Sequence, residues 1–214
     1  MHIPRFFTNI AGRKAYRKQN SMIKYHLKRI WNWLRRMGYS RGFGVQSPSA
    51  YRFIRYVLTE HYPYYAYSEL GKKHKISGHE ANKMGRLYFR LANDAQAECW
   101  YDYLSGSEIY ADYVRSGCRT TVFEAMDSTS VPRHFRIARL SMRADYKAVY
   151  RRLVAVASND SLLILEGIND NPDTKAFWHE VVESAEAVIT YDLYACGIVQ
   201  FDRSKYKHHY VVNF

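Results

Sequence analysis

From Ala97 to the carboxyl terminus, short β-prone runs alternate with helical runs, and this alternation restricts the fold more than any other feature. Strands that alternate with helices form βαβ units, which build a largely parallel sheet. The pattern predicts strands at residues 98–104, 120–125, 135–140, 161–166, 188–193, 198–201 and 209–214. Helices are predicted between the first two strands and across residues 144–156 and 172–185. The fifth and sixth strands lie close together in sequence, which predicts an antiparallel hairpin.

The part of the chain before Ala97 has helical periodicity and no comparable strands. We predict helices across residues 21–38, from Ser47-Pro48 onward, and across 79–93, with a loop at 71–78. A serine or asparagine followed by proline, as at Ser47-Pro48 and again at Asn171-Pro172, is typical of a helix start. The residues expected on the inward face of the second helix are Tyr51, Ile54, Val57 and Leu58. The predicted division is a basic tail (1–20), a helical cap (21–95) and an α/β core (96–214).

Basic residues are concentrated at the amino-terminal end. Residues Met1 to Thr59 contain 13 Lys or Arg and no Asp or Glu, whereas the whole chain has a net charge of +12. This asymmetry indicates an anionic partner, either nucleic acid or an acidic membrane surface. Trp31 and Trp33 suit either partner. Two alternatives stay open: the helix is a solvated basic face, or its apolar stripe packs over the sheet. The cations predicted to make the contact are Lys24, Lys28, Arg29, Arg35 and Arg36.

The three cysteines have no CxxC spacing, so the sequence suggests neither a disulfide framework nor a zinc site. The amino terminus has no continuous apolar run of the kind found in secretory signals, and no stretch is apolar enough to span a bilayer. We therefore expect a cytoplasmic protein. The nine histidines do not form a ligand cluster, and no metal site is predicted.

Several segments resemble a bacterial group of class I S-adenosylmethionine-dependent methyltransferases. The segments are Gly42 to Pro48, Pro63 to Tyr67, Gly85 to Leu91, and the carboxyl-terminal half from Asp160 to Phe214. The resemblance covers roughly residues 39–214 with a poor stretch in the middle. It implies a three-layer, Rossmann-like α/β fold with a mostly parallel sheet, an antiparallel carboxyl-terminal hairpin and a helical amino-terminal cap. It also implies S-adenosylmethionine as the cofactor.

The resemblance places the cofactor motif at Asp102-Tyr103-Leu104-Ser105-Gly106. Asp102 stands for the acid of the motif, Gly106 is its one remaining glycine, and Leu104 occupies the position of the first glycine. Glu124 follows Asp102 by 22 residues, which agrees with the spacing of an acid that binds ribose hydroxyls. The cofactor-binding candidates are therefore Asp102, Gly106 and Glu124. An ordinary strand-to-helix turn capped by a serine explains the same residues.

The connection after Glu124 is short. Only ten residues, Ala125 to His134, precede the next predicted strand, which is too few for a helix, a strand and their loops. We infer the loss of one strand at the edge of the sheet together with part of the adenine pocket. A second copy of the chain or another partner is expected to cover the exposed edge.

On the catalytic side, the candidates are Glu166 and Asp170, as a general base pair or a remnant of ligands.

Three functions follow from these features. The first is a methyltransferase-fold protein that has lost catalysis and acts as a binding or scaffold module. The second is an active methyltransferase with an altered pocket and an unknown acceptor, since methyl transfer requires mainly positioning. The third is the binding of an anionic surface by the basic amino-terminal helix.

Overall fold

A computed structural model describes residues 30–31, 33–75, 79–104 and 108–214. The predicted tail (1–20), most of the predicted helix at 21–38, and Gly106 lie outside the described residues. Within the described part of the chain, no helix has both the length and the apolar character needed to cross a bilayer.

The amino-terminal cap is helical, as predicted. A 3-10 helix (Met37–Gly42) is followed by α1 (Pro48–Phe53), which continues as a π-helix (Ile54–Leu58), then by α2 (Tyr65–Lys73) and α3 (His79–Ala95). Ser47 caps α1, since its side chain accepts a hydrogen bond from the backbone N–H of Ala50. This confirms the helix start predicted from Ser47-Pro48.

Two details of the cap differ from the prediction. Tyr51 is exposed and Phe53 is buried, because the buried face follows three- and four-residue spacing from Ala50 through Phe53 and Ile54 and leaves Tyr51 outside it. The predicted loop at 71–78 begins later than expected, because α2 extends to Lys73. Its last turn carries Lys72 and Lys73, which interact favourably with the negative end of the helix dipole.

The core contains the seven predicted strands and the helices between them. In chain order the elements are β1 (Cys99–Tyr103), α4 (Glu108–Gly117), β2 (Val122–Met126), β3 (Ile137–Ser141), α5 (Tyr146–Val156), β4 (Leu162–Glu166), α6 (Pro172–Glu183), β5 (Ile189–Asp192), β6 (Cys196–Gln200) and β7 (His208–Val211). Asn171 and Thr174 form a capping box at the start of α6, which confirms the predicted Asn-Pro helix start.

The strands form one mixed sheet in the order β2-β1-β3-β4-β6-β5-β7. The pairs among β2, β1, β3 and β4 are parallel, and so is the pair of β5 with β7. Strand β6 runs antiparallel to both β4 and β5, which confirms the hairpin. Because the carboxyl ends of parallel strands meet at one edge, the residues that end β1, β3 and β4 lie side by side.

Strand β2 is an edge strand, as the short connection after Glu124 predicts. Residues 127–136 link it to β3 and contain neither helix nor strand. Val122, Glu124 and Ala125 of β2 are exposed, whereas all five residues of β3 are buried. Self-association through the β2 edge stays a prediction.

Helices cover both faces of the sheet and give three layers. On one face, residues of α1, α3 and α4 pack against Trp100, Ile137 and Ile164. On the other face, residues of α5 and α6 pack against Leu140 and Leu165. Side chains alternate between the faces along each strand. The polar residues at the carboxyl ends of the strands therefore divide between the two faces, and this division positions the candidate site.

Candidate functional site

The candidate site lies on the α3 face of the sheet, at the carboxyl ends of β1, β3 and β4. Asp102 is paired in register with Arg139, and Arg139 with Ile164, so these three side chains lie in one row. Glu166 follows Ile164 by two residues and projects to the same face. Tyr88, in the middle of α3, reaches down to this row. We call Tyr88, Asp102, Arg139 and Glu166 the strand-end network.

Arg139 is the centre of the strand-end network. Its Nη1 donates to Asp102 Oδ1 at 2.8 Å, and its Nε and Nη2 both lie 2.8 Å from Glu166 Oε2. Its Nε also donates to Tyr88 Oη at 3.1 Å, and the Tyr88 hydroxyl in turn donates to Glu166 Oε2 in a short hydrogen bond. The side chain of Arg139 is only 3% exposed. One cation thus joins the carboxylates of two non-adjacent strands.

The electrostatics keep this network charged. Burial alone would lower the pKa of Arg139, but Tyr88, Glu166 and Asp102 outweigh burial and raise that pKa above its ordinary value. Burial, followed by the charge of Glu166, raises the pKa of Tyr88 well above its usual range. Arg139 therefore carries a full positive charge, and Tyr88 remains a protonated donor. The guanidinium also lies 5.1 Å from the ring centre of Tyr110 on α4.

In the turn after β1, Leu104 adopts a backbone conformation that is typical of glycine. Leu104 has φ +59°, in the left-handed region that side chains with a β-carbon rarely adopt. The placement of Leu104 at the first glycine position of the expected motif stays a prediction. The Leu104 side chain is 43% exposed and forms part of the lining of a cavity above the strand-end network.

That cavity has a volume of about 190 Å³. Its lining combines apolar side chains with two cations and one acid: Ala81, Leu104, Ile109, Tyr110, Arg139, Arg143 and Glu166. Pockets that enclose cofactors or drug-sized ligands usually measure roughly 300–1,000 Å³. The volume that these described residues enclose is below that range.

Glu124 does not lie near the strand-end network. It is the third residue of β2 and is paired in register with Tyr101, whereas Asp102 is paired with Ala125. Because side chains alternate along a strand, Glu124 and Asp102 project to opposite faces of the sheet. The acid that directly follows β2 is Asp127, which accepts hydrogen bonds from Thr129 and from the backbone N–H of Ser130.

Glu166 and Asp170 are separated by a turn, and their environments differ. Glu166 binds Arg139 and Tyr88, while Asp170 is exposed and lies beside Gly167, which has φ +91°. The role of the two acids as a general base pair or a remnant of ligands stays a prediction. Among the described residues, no group of three or more His, Cys, Asp or Glu is placed to hold a metal ion.

The sequence reasoning missed Arg139 and Tyr88. One signal for Arg139 was present, since an arginine interrupts the otherwise apolar run Ile137-Ala138-Arg139-Leu140 of a buried strand. A cation buried on all sides needs an acidic partner, and Asp102 was the nearest candidate on a neighbouring strand. For Tyr88, the helical spacing predicted burial but not the contact of its hydroxyl.

Comparisons with known proteins find similarity to solved structures. No protein-family model matches the chain, and no curated protein sequence matches it. The methyltransferase PaMTH1 of Podospora anserina, with S-adenosylhomocysteine bound, has a TM-score of 0.49 and 10% sequence identity. That comparison covers 73% of this chain and 96% of the other. MycE, a methyltransferase of mycinamycin biosynthesis in complex with Mg and S-adenosylhomocysteine, has a TM-score of 0.44, 11% identity and coverage of 64% and 49%.

The architecture itself defines the fold class. A mostly parallel sheet that ends in an antiparallel hairpin, with helices on both faces and a helical amino-terminal cap, is a methyltransferase-like α/β fold.

Proposed function

We propose that this protein is a methyltransferase-fold binding or scaffold module that does not transfer methyl groups. The observation that carries the proposal is the ion pairing of Arg139 with Asp102 and Glu166. The proposal includes a degenerate cofactor motif, in which Asp102 and Gly106 remain while Leu104 replaces a glycine. The resemblance to bacterial class I methyltransferases then describes the origin of the fold and not a retained activity.

The residues present do not fit S-adenosylmethionine. The cofactor carries a cationic sulfonium and a cationic ammonium group, and acids at the ends of strands are the groups that would attract them. Here the Arg139 guanidinium binds both Asp102 and Glu166 and offsets one of their two negative charges, so both acids already have a cationic partner within the protein. If the acids turned to the cationic groups of the cofactor, the buried Arg139 guanidinium would lose its partners, which is strongly unfavourable.

Space and shape oppose the cofactor as well. The described lining residues enclose about 190 Å³, which is less than the usual volume of a cofactor pocket, and the Leu104 side chain lines this cavity where a glycine would leave room. Glu124, the candidate for the ribose hydroxyls, projects to the opposite face from Asp102. The link at residues 127–136 supplies no strand or helix to form a wall for adenine.

Isothermal titration of the full chain with S-adenosylmethionine and with S-adenosylhomocysteine tests this proposal. We expect no binding heat at millimolar ligand. Micromolar binding would contradict the proposal and favour an active enzyme on an unknown acceptor. Transfer of a labelled methyl group from the cofactor to any component of a cell extract would contradict it equally.

Two variants sharpen the titration. Leu104→Gly removes the side chain at the glycine position and suits the left-handed backbone there, so it should keep the protein folded. Glu124→Ala is the matched control on the opposite face. If wild-type protein binds the cofactor and Glu124→Ala weakens that binding at least tenfold, then the role of Glu124 at the ribose is supported and our proposal fails.

A further inference from the structure

A run of large apolar side chains is exposed next to the 3-10 helix. Each of these residues has 49–61% of its surface accessible: Ile30, Trp31, Trp33, Leu34 and Met37. Phe43 is 82% exposed and stands between Gly42 and Gly44, both of which have positive φ. We call the described residues of this stretch, 30–31 and 33–43, the apolar segment. Soluble monomers rarely expose so many adjacent large apolar groups without a binding role.

Hydrogen bonds attach the apolar segment to the sheet. Arg36 donates to the backbone oxygen and to Oδ1 of Asp192, both at 2.9 Å, and its guanidinium lies 5.3 Å from the ring centre of Tyr194. The backbone N–H of Asn213 donates to the oxygen of Tyr39 at 3.2 Å. The segment is thus attached to the carboxyl-terminal end of the sheet, while none of the other described residues covers its large apolar side chains. The alternative in which the apolar stripe packs over the sheet does not hold for Ile30, Trp31 and Leu34.

The positive charge of the amino-terminal part of the sequence favours an anionic partner for the apolar segment. Residues Met1 to Thr59 contain 13 basic residues and no acid. Arg36 and Arg52 bind Asp192 and Asp94 within the protein, which removes Arg36 from the cations predicted to contact a partner. Arg35 is exposed, and Lys24, Lys28 and Arg29 lie outside the described residues. Most of the positive charge therefore has no acidic neighbour in its own part of the sequence.

We propose that the apolar segment docks on an acidic membrane surface. Tryptophan is enriched at the boundary between headgroups and hydrocarbon, and basic residues near it are attracted to anionic lipid. Ile30, Leu34 and Met37 favour a bilayer over nucleic acid, because aliphatic groups gain free energy in hydrocarbon and gain nothing from a phosphate backbone. The protein then lies on the membrane without spanning it. This inference is independent of whether the fold retains methyl transfer.

Co-sedimentation with vesicles tests the proposal. The full chain should bind vesicles of phosphatidylcholine that contain phosphatidylserine and should not bind vesicles of phosphatidylcholine alone. Each loss of a basic residue near the surface should weaken binding about fivefold, so K24Q/K28Q/R29Q should lose roughly a hundredfold. W31A/W33A should also weaken binding at least tenfold. The matched control is Tyr206→Ala, which removes an aromatic ring that is 95% exposed elsewhere in the chain.

Tryptophan fluorescence gives a second readout. Of the four tryptophans, Trp31 and Trp33 are exposed, whereas Trp100 and Trp178 are buried. Acidic vesicles should shift the emission to shorter wavelength, and lipids that carry bromine on their acyl chains should quench it. Neither effect should occur in W31A/W33A, and circular dichroism should show that this variant is folded.

Three outcomes would overturn the proposal. They are absence of binding to phosphatidylserine vesicles at low salt, equal binding by W31A/W33A and Tyr206→Ala, and binding of single-stranded RNA that W31A/W33A weakens while vesicle binding is unchanged. The last outcome would assign the apolar segment to nucleic acid.

Discussion

Two arginines in this protein bind carboxylates at the carboxyl ends of strands, in very different surroundings. Arg139 lies inside the sheet and joins Asp102 of β1 to Glu166 of β4, with side chains that are 3%, 0% and 19% exposed. Arg36 comes from outside the sheet and binds Asp192 of β5, and these two side chains are 17% and 14% exposed. Arg139 joins two strands within the strand-end network, whereas Arg36 attaches the apolar segment to the sheet.

The difference teaches that the same ion pair has different consequences at different depths. A buried pair is costly to form, and removing one partner leaves an uncompensated charge away from water. A pair near the surface can replace a lost partner with water, so its removal costs less. We therefore expect the stability of the fold to depend strongly on the strand-end network and only weakly on the Arg36 contact. Three experiments test this comparison, beginning with the largest expected effect.

Arg139→Met should cause the largest loss of stability. It leaves Asp102 and Glu166 as neighbouring acids in a buried site, which should reduce the free energy of unfolding by roughly 3–5 kcal/mol. Urea denaturation followed by circular dichroism measures the loss. The control is D102L/R139M/E166M, which replaces the whole group by apolar side chains and should recover most of the stability. A loss below about 1 kcal/mol in Arg139→Met would show that the buried network is not formed.

Arg36→Met should have an intermediate effect. It removes hydrogen bonds to the backbone oxygen and carboxylate of Asp192 at a half-buried position, which should cost roughly 1–2 kcal/mol. Cleavage by protease near the apolar segment should become faster, because the segment is no longer attached there. The adjacent and exposed Arg35 provides the control, since Arg35→Met should change stability by less than about 0.5 kcal/mol. Equal effects of the two substitutions would remove the distinction between them.

His209 should give the smallest effect, visible as pH dependence. Burial lowers the pKa of His209 below 6.5, the Asp192 charge opposes this, and Arg36, His208 and His179 reinforce it. Between the pKa of His209 in the folded chain and its higher pKa in the unfolded chain, the unfolded chain binds more protons. Stability therefore falls as pH decreases below about 6.5. His209→Asn should flatten the stability profile between pH 6.5 and the onset of acid unfolding. The exposed His61 is the control, and an unchanged profile in His209→Asn would contradict the prediction.

The periodic patterns predicted most of the fold. Alternation of strands and helices after Ala97 gave the seven strands to within a few residues, and Ser47-Pro48 and Asn171-Pro172 marked helix starts that both carry side-chain caps. These signals are local, because a capping residue acts within its own first turn. The inward face of α1 was predicted less well, since the buried face begins at Ala50 and Phe53 and Tyr51 lies outside it.

The candidate site was predicted in part. Asp102 and Glu166 were identified as strand-end acids, and both lie in the strand-end network. Glu124 was chosen by its spacing from Asp102, but spacing along the chain does not fix the face of the sheet to which a side chain projects. A shift of one residue in register reverses that face, and register depends on pairing with a neighbouring strand.

By itself, the sequence determined the order of the elements, the basic amino-terminal quarter and the shortened connection after Glu124, because these depend on residues that are near one another in the chain. Only the tertiary structure decided which charges meet. Asp102, Arg139 and Glu166 are separated by 37 and 27 residues, yet they share one buried network because parallel strands bring their carboxyl ends together. The cost of burying each charge alone is what makes that meeting obligatory.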